Sequence, residues 1–500
     1  MAMRQVPSTN GLTTVTAKDL DTWVMDNLQP STEFSNQVKQ TVKQICDFLK
    51  EDCFLKGTNI HVNKTVKGGS AGKGTALRNN SDADVVLFLS CFSSYQDQKQ
   101  NRKAILDLIK TRLHACTQSL TFTVAISEPR YKGPGNTPRS LSLTLYSKNL
   151  ESTEVDILPA YDALGQISRD AWMNANLYEA AYTELLRTKS GPGEFSPCFT
   201  ELQKKFVKRF PAKLKNLLRL VKHWYKERVK PRYHSEDLPP KYAVELLTIY
   251  AWEQGTDSSE SFDTAAGFRT VLELLRRHRE ICVYWETCYS LQHSQIGTYV
   301  KNVLHGHRPI ILDPADPTGI LGQDSKWDLV AKEAAHDLSL PCVCAVQPWV
   351  VQPARPVMIE VKQLSGTSLS MTVSLDTTIR QLKEMIEQQW GIPQYRQRLG
   401  QQGPRGNTPI LEDGKTLATY GIFHRTTLML LQAEPQPMEV SVKDDKNQTT
   451  IYRGGGPPPT QQRLTYESRE LEDRHTLAHY NVQPRSTIFL LLRLRGGTDS

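Results

Sequence analysis

The chain has 500 residues, of which 39% are hydrophobic and 8% aromatic, and it carries a formal charge of +8. Those values exclude a disordered or fibrous chain and leave room for about three domains, each with its own core. No run approaches the ~18 apolar residues of a membrane span, and the basic residues crowded between Lys204 and Lys230 favour an anionic partner such as nucleic acid.

The N-terminal MAMRQVPSTNGLTTVTAKDL lacks the apolar core of a signal peptide, and the nine cysteines show no CxxC pair or disulfide framework. A reduced, intracellular setting is therefore expected. Cys342 with Cys344, and His305 with His307, have no second ligand pair at zinc spacing. TVKQICDFLKEDCF has apolar residues at helical spacing, whereas DADVVLFLS, SLSLTLYS and TEVDILPA read as strands. After Leu185 helices dominate: CFTELQKKFVKRF, then AKLKNLLRLVKHWYKERVK opened by Pro211, then YAVELLTIYAWEQG and FRTVLELLRRHREICVYWETCYS. An α/β half followed by a helical half predicts two lobes with a cleft between them. AVQPWVVQPARP is proline-punctuated, and residues 347–356 read as a linker. Beyond it, segments 357–433 and 436–497 share the pattern LED-x-x-TL-x-x-Y, an internal repeat ordered as hairpin, helix and short strands.

KGGSAGKGTALRNNSDADVVLFLS (67–90) joins a glycine-rich turn to two aspartates. It is not a Walker A loop, because Lys73 is followed by Gly74 rather than Ser or Thr, and the residue five before Gly72 is Lys67. Nor is it an EF-hand, since no glycine and distal glutamate follow Asp82 and Asp84 at the required offsets. Gly68, Gly69 and Ser70 let backbone amides and a hydroxyl approach a triphosphate closely. Asp82 and Asp84, two apart on a strand, project from one face at ~7 Å spacing and repel unless cations lie beside them. Magnesium suits them, as a hard cation that takes carboxylates and phosphates together. Asp156 in TEVDILPA is the candidate third carboxylate on a neighbouring strand. Two ions held there suit activation of an attacking hydroxyl and stabilisation of departing pyrophosphate, the chemistry of nucleotidyl transfer.

GGSAGKGTALRNNSDADVVLFLS, VDILPAYDALGQ, FSPCFTELQKKF, LLRLVKHWY, AAGFRTVLELL and RPIILDPADPTG closely resemble the 2′-5′-oligoadenylate synthetases, over nearly all of residues 8–346. The C-terminal repeats resemble ubiquitin, most plainly at LRLRGG, and the combined layout resembles the synthase-like branch of the family. The resemblance implies an α+β chain: a bilobal, polymerase-β-like nucleotidyltransferase domain (1–346) with a helical C-terminal lobe, then two β-grasp units, the second lacking its helix. It implies ATP as substrate, two Mg²⁺ ions, double-stranded RNA as activator, 2′-5′-linked oligoadenylates as product, and an interferon-induced antiviral role. Asp82, Asp84 and Asp156 match the family's metal triad, and Ser70 with Gly69 its phosphate-contacting turn. Arg219 and Lys222, three apart on one helix face, match its nucleotide-binding pair.

Pro239-Pro240-Lys241-Tyr242 departs from the family's P-P-Q-Y. Lys241 thus replaces a nucleotide-holding glutamine, which leaves donor and acceptor preference open. Lys50, Lys67, Lys204, Lys208 and Lys213 lie where the family contacts RNA; phosphate and 2′-hydroxyl recognition needs no base-specific residue. RNA binding is expected to order the cleft so that Asp156 joins the other two carboxylates. PCVCAV stands where oligomer-forming relatives carry Cys-Phe-Lys, so the resemblance implies a monomer, in the cytoplasm with the nucleus as a second compartment.

In the second repeat only RGGG stands between Tyr452 and Pro457, where ubiquitin runs through its helix. Gly497 is followed by three residues, and Arg469 and Pro484 replace ubiquitin's chain-building lysines. Asp445 and Thr465 replace two apolar members of its recognition patch, while Leu364 and Gly400 split the matter in the first repeat. Non-covalent mimicry is expected. The alternative to catalysis is an RNA-binding scaffold that engages cytosolic RNA-sensor helicases through these units.

Overall fold

The computed structural model describes residues 11–54, 59–78, 81–119, 122–133, 137–146, 151–167, 174, 176–401, 408–433, 441–443, 449–451, 462–472, 475–483 and 486–492. The chain divides into two compact units, Met1–Arg355 and Pro356–Ser500.

The first unit begins with α1 (Gly11–Thr14), α2 (Leu20–Leu28) and α3 (Thr32–Glu51). Ser31 caps α3 by accepting from the Phe34 amide at 3.2 Å. β1 (Val62–Lys67), α4 (Gly69–Lys73), β2 (Ser81–Leu89), α5 (Tyr95–Ser119), β3 (Ala125–Ile126), β4 (Arg130–Lys132), β5 (Ser140–Tyr146) and β6 (Ser152–Ala160) follow. The strands form one sheet in the order β1-β2-β6-β5-β3, with β4 paired to β5. β2 and β6 run parallel, and the other pairs are antiparallel.

Alternation along β2 decides where the site lies. Ala83, Val85, Leu87 and Leu89 enter a core shared with Val38, Val42 and Ile45 of α3 and Leu106 and Ile109 of α5. Residues two apart share a face, so Asp82 and Asp84 are left on the opposite side of the sheet.

The helical half contains α6 (Glu179–Arg187), α7 (Thr200–Lys208), α8 (Ala212–Trp224), α9 (Lys241–Thr256) and α10 (Thr264–Arg276). β7 (Cys282–Val283), α11 (Ile296–Leu304), β8 (Ile310–Asp313), β9 (Asp316–Ile320) and α12 (Trp327–Asp337) complete it. α9 is buried almost all round, from Ala243 to Trp252, which marks it as the central helix of this lobe. The sequence reads as one helix over 212–230, but the structure closes it with a π turn at Tyr225–Val229, where the Lys230 amide donates to the Tyr225 carbonyl at 3.0 Å.

The segment expected as a linker is strapped to this unit. Trp349 lies over Gly255 and Gly267, where an added Cβ would come within 2.6 Å of the indole side chain. Its amide donates to Thr270 Oγ1 at 2.8 Å, and the Gln352 carbonyl accepts from Tyr250 OH at 2.6 Å. Ala354 bridges to Cys282, with the Cys282 and Arg355 amides donating across the pair. Proline spacing looked like a linker because the docking partners, two small residues on separate helices, lie about a hundred positions earlier in the chain. Ending the chain at Gln347 is expected to melt the first unit about 5–10 °C below an end at Arg355, since a half-buried Trp is worth ~2–3 kcal/mol. Thermal melts of the two truncations check this.

In the second unit, β10 (Val357–Gln363), β11 (Ser368–Val373), α13 (Ile379–Trp390), β12 (Gln397–Gln401) and β13 (Thr426–Gln432) make a sheet in the order β11-β10-β13-β12 with β10 and β13 parallel. That is a β-grasp arrangement, its helix opened by a Thr378–Gln381 capping box and burying Ile379, Leu382 and Ile386. β14 (Ser441–Lys443), β15 (Thr449–Ile451), β16 (Gln462–Tyr466), β17 (Arg469–Glu470) and β18 (Thr487–Leu492) repeat the topology, with β14 and β18 parallel. Among the described residues this second sheet carries no helix, and its buried core is Val442, Val482 and Ile488. The shared LED-x-x-TL-x-x-Y pattern has a physical reason. Tyr420 OH accepts from the Glu412 amide at 2.7 Å and Tyr480 OH from the Glu472 amide at 2.8 Å, the same closure in each repeat. Asp445, Pro484, Gly497 and the RGGG stretch lie outside the described residues. Arg469 and Leu364 are exposed, and Thr465 half-buried.

Candidate active site

The parallel pairing of β2 with β6 sets Asp84 beside Asp156 and Asp82 beside Glu154. Four carboxylates therefore share one face of two adjacent strands. Strand register alone already sets Asp156 beside Asp84 along the backbone. Glu154 was missed in the sequence, although TEVD repeats the two-residue spacing of DAD.

The glycine turn presses against these strands. Gly69 has φ +66°, and a Cβ there would meet the Asp82 carbonyl at 2.7 Å and the Asp84 amide at 2.9 Å, so only glycine fits. Ser70 is buried and faces Asp82: its amide donates to Asp82 Oδ2 at 3.1 Å, its hydroxyl donates to the Asp82 carbonyl at 3.1 Å, and the Asp82 amide donates back at 3.0 Å. Its side chain thus clamps Asp82 instead of standing open to a phosphate.

Lysines from both lobes meet the carboxylates. Lys241, the first residue of α9, places Nζ 3.3 Å from Asp82 Oδ1. Lys132, at the end of β4, places Nζ 2.7 Å from Asp156 Oδ2 and 3.3 Å from Glu154 Oε1. Lys73 is buried with Nζ 3.6 Å from the centre of the Tyr242 ring. Burial would raise the Asp82 carboxyl, but Lys241, Lys222 and the Ser70 amide outweigh it and hold it below the usual range. Asp84 is pushed up to about 7, by burial first and then by the charges of Asp82 and Asp156.

Among the described residues, Asp156 Oδ1 is buried without a hydrogen-bond partner. An orphaned carboxylate oxygen beside two other aspartates is the donor set a hard divalent cation takes, so these residues fit magnesium. Among the described residues, the carboxylate-bearing trio whose ligand atoms already lie within 4.8 Å of one another is Glu333, His336 and Asp337, not the aspartate triad. Asp337 is saturated there by Arg228, at 2.6 Å on each oxygen, and by Trp224 Nε1 at 2.8 Å, so that trio reads as an ion-pair network.

Arg219 and Lys222 both bond to the loop that follows the glycine turn. Arg219 donates to the carbonyls of Gly74 at 2.7 Å and Ala76 at 2.9 Å. Lys222 is buried and donates to the Thr75 carbonyl at 2.5 Å, with Glu245 3.5 Å away. Packing turns the second side chain inward to α9, so together they pin the 74–76 loop to α8. The sequence also left unread the buried Asp313 and Asp316 of the DPADP run. Gln203 Nε2 donates to Asp313 at 2.6 Å and Thr318 Oγ1 to Asp316 at 2.7 Å. Burial pushes these carboxyls up to about 7 and about 6.

Asp84, Asp313 and Asp316 all have folded values above the ordinary carboxylate value of ~4. The stability they contribute is therefore full below pH ~4 and is lost as pH rises through the folded values. In EDTA these three groups are expected to lower the melting temperature progressively from about pH 4 to about pH 7, with the curve flattening above that; a rise between about pH 5 and 7 would contradict these protonated carboxyls.

The five lysines expected at RNA lie on four elements. Lys208 is exposed at the end of α7, and Lys67 and Lys204 are half-buried. Burial and then the charges of Lys208 and Lys67 depress Lys204, so these three crowd together. Lys50 is exposed in the last turn of α3, one turn beyond Cys46, whose surroundings include Lys67. Lys213 stands apart from that cluster, paired to Asp21 at 3.5 Å and lying 5.2 Å from the centre of the Phe262 ring.

Fold and site define a nucleotidyltransferase-type domain fused to ubiquitin-like units. Residues 174–354 match the family described as 2′-5′-oligoadenylate synthetase 1, domain 2, C-terminus, and residues 359–435 and 448–495 match the ubiquitin family. The chain is 41% identical over 497 residues to 2′-5′-oligoadenylate synthase-like protein 2 of Mus musculus, covering 94% of this chain and 96% of that one. It is 35% identical to 2′-5′-oligoadenylate synthase-like protein 1 of Rattus norvegicus, covering 97% of each. Its similarity to rat 2′-5′-oligoadenylate synthase 3 is 46% over 345 residues, which is 68% of this chain and 30% of that longer protein. The chain belongs to the 2′-5′-oligoadenylate synthase family.

Proposed function

We propose that this protein joins ATP molecules through 2′-5′ linkages in a metal-dependent reaction stimulated by double-stranded RNA, as part of antiviral defence in the cytoplasm. The observation that carries the reading is the register of Asp84 against Asp156, with Asp82 two residues earlier on the same face. Asp82, Asp84 and Asp156 would hold Mg²⁺, which when bound supplies charge for the triphosphate and for the attacking hydroxyl. The rest is the work of this chain's own groups. The Ser70 amide and hydroxyl fix Asp82, and Arg219 and Lys222 fix the loop that follows the glycine turn.

The same turn offers a route from RNA to the site. Lys67 immediately precedes Gly68-Gly69-Ser70, and Thr200, which opens the helix bearing Lys204 and Lys208, packs so tightly that a Cβ on Gly68 would lie 2.4 Å from its methyl. RNA phosphates bound by Lys67, Lys204 and Lys208 relieve the repulsion among them and shift the turn that holds Asp82. Gating in this reading acts through the turn and not through Asp156. The test is purified protein with ATP, Mg²⁺ and double-stranded RNA, its 2′-5′ products resolved beside Asp82→Ala and Asp84→Ala. Product without RNA at the same rate removes the gating, and product from both variants removes the metal reading.

A second reading rests on the fused units. Leu364 is 79%, Phe489 50% and Leu491 43% exposed, apolar side chains that suit contact with another protein. Through them the protein would engage a cytosolic RNA-sensor helicase. In the full chain, Leu364→Asp with Phe489→Asp would then abolish helicase capture while leaving oligoadenylate synthesis intact.

A further inference from the structure

Lys132 belongs to none of the groups so far given a part in the reaction, yet it makes the shortest ion pair at the triad. It reaches the carboxylates from an edge: β4 pairs with β5, Lys132 opposite Ser140, and β5 in turn pairs with β6, Ser142 opposite Asp156. Its ammonium crosses that intervening strand to lie 2.7 Å from Asp156 Oδ2 and 3.3 Å from Glu154 Oε1, while Ser142 Oγ donates to the same Glu154 oxygen at 2.7 Å. The side chain is 51% exposed, so solvent reaches it and it can swing away without disturbing a core. The other oxygen of Asp156 is buried and, among the described residues, unpartnered. One carboxylate thus presents one oxygen to a displaceable ammonium and holds the other in reserve.

We propose that Lys132 is an internal counter-ion for Asp156 that competes with the divalent ion for this carboxylate and must leave when the ion binds. A positive charge 2.7 Å from one oxygen of this carboxylate repels an arriving cation. Glu154 supplies the alternative seat: being already 3.3 Å from Nζ, it can keep the ammonium when Asp156 lets it go. Lys132 is accordingly a positioning residue that sets the metal concentration at which the site fills. Lys241 stands in the same relation to Asp82 from the other lobe, at 3.3 Å, and serves as the comparison. The inference rests on the reading that the aspartates hold divalent ions.

The experiment is calorimetric titration of the full-length, RNA-free protein with Mn²⁺, for the parent, Lys132→Met, Lys132→Arg and Lys241→Gln. Removing a half-exposed ion pair that opposes binding is expected to tighten Mn²⁺ about fivefold in Lys132→Met, and Lys132→Arg keeps the parent affinity. In the same proteins the melting temperature in EDTA falls for Lys132→Met while its rise on adding Mn²⁺ becomes larger. Unchanged or weaker Mn²⁺ binding by Lys132→Met, with Lys241→Gln showing that the method resolves a shift at the neighbouring carboxylate, overturns the competition. Absence of Mn²⁺ binding in every protein overturns the metal reading itself and this inference with it.

Discussion

Asp156→Asn is expected to lower RNA-stimulated oligoadenylate formation by about three orders of magnitude, the loss that follows when several kcal/mol of charge stabilisation disappear from the transition state. The substitution is nearly isosteric, and its backbone stays in the β2–β6 ladder, so the fold is expected to persist. It has a second signature that a merely damaged protein would lack. Asp84 is pushed up to about 7 by burial and by the charges of Asp82 and Asp156. Removing one of those charges lowers the pH at which Asp84 ionises. The fall of melting temperature with rising pH in EDTA therefore moves to lower pH in Asp156→Asn. Product assays together with melts across pH check both halves, and lost activity with an unmoved pH profile would detach Asp156 from Asp84.

Lys222→Met is expected to cost ~3–5 kcal/mol of stability, because it leaves Glu245 buried without its cation. For a domain of this size that is a fall of about 10 °C or more in melting temperature. Lys222 is 3% exposed, and its ammonium is spent on the Thr75 carbonyl and hydroxyl and on Glu245. Adding Glu245→Gln to Lys222→Met is expected to recover much of the loss, since the stranded charge is then gone. If Lys222 acted mainly as a phosphate ligand, the single variant would melt close to the parent and show only a raised KM for ATP. Melting curves of the single and double variants, with KM for ATP beside them, separate the two roles.

The strand periodicity of DADVVLFLS and TEVDILPA was legible because alternation is a local property: two residues apart means one face. So was the kinship of the C-terminal repeats, whose shared tyrosine closes a turn eight residues back in each. The glycine turn was legible as glycine-requiring but not as to its purpose. Its serine faces Asp82 rather than solvent, a choice made by how α4 packs on β2. Helical spacing put Arg219 and Lys222 three apart on α8, but spacing could not tell that the second would be turned inward against Glu245 of another helix. Proline punctuation likewise suggested a linker at 347–356, where Trp349 in fact docks on Gly255 and Gly267.

By itself the sequence determined which chemical groups are available and in what local order: carboxylates on strands, glycines before them, basic helices, and two ubiquitin-like patterns. Tertiary structure decided which of those groups meet. Asp156 joins Asp84 through strand register, while Lys132 reaches Asp156 from 24 residues away and Lys241 reaches Asp82 from 159. The physical reason is that backbone period fixes the direction of a side chain along its own element, whereas its partner is fixed by sheet order and helix packing. Those follow from burying apolar surface over the whole domain and leave no mark on the spacing of the charged residues they bring together.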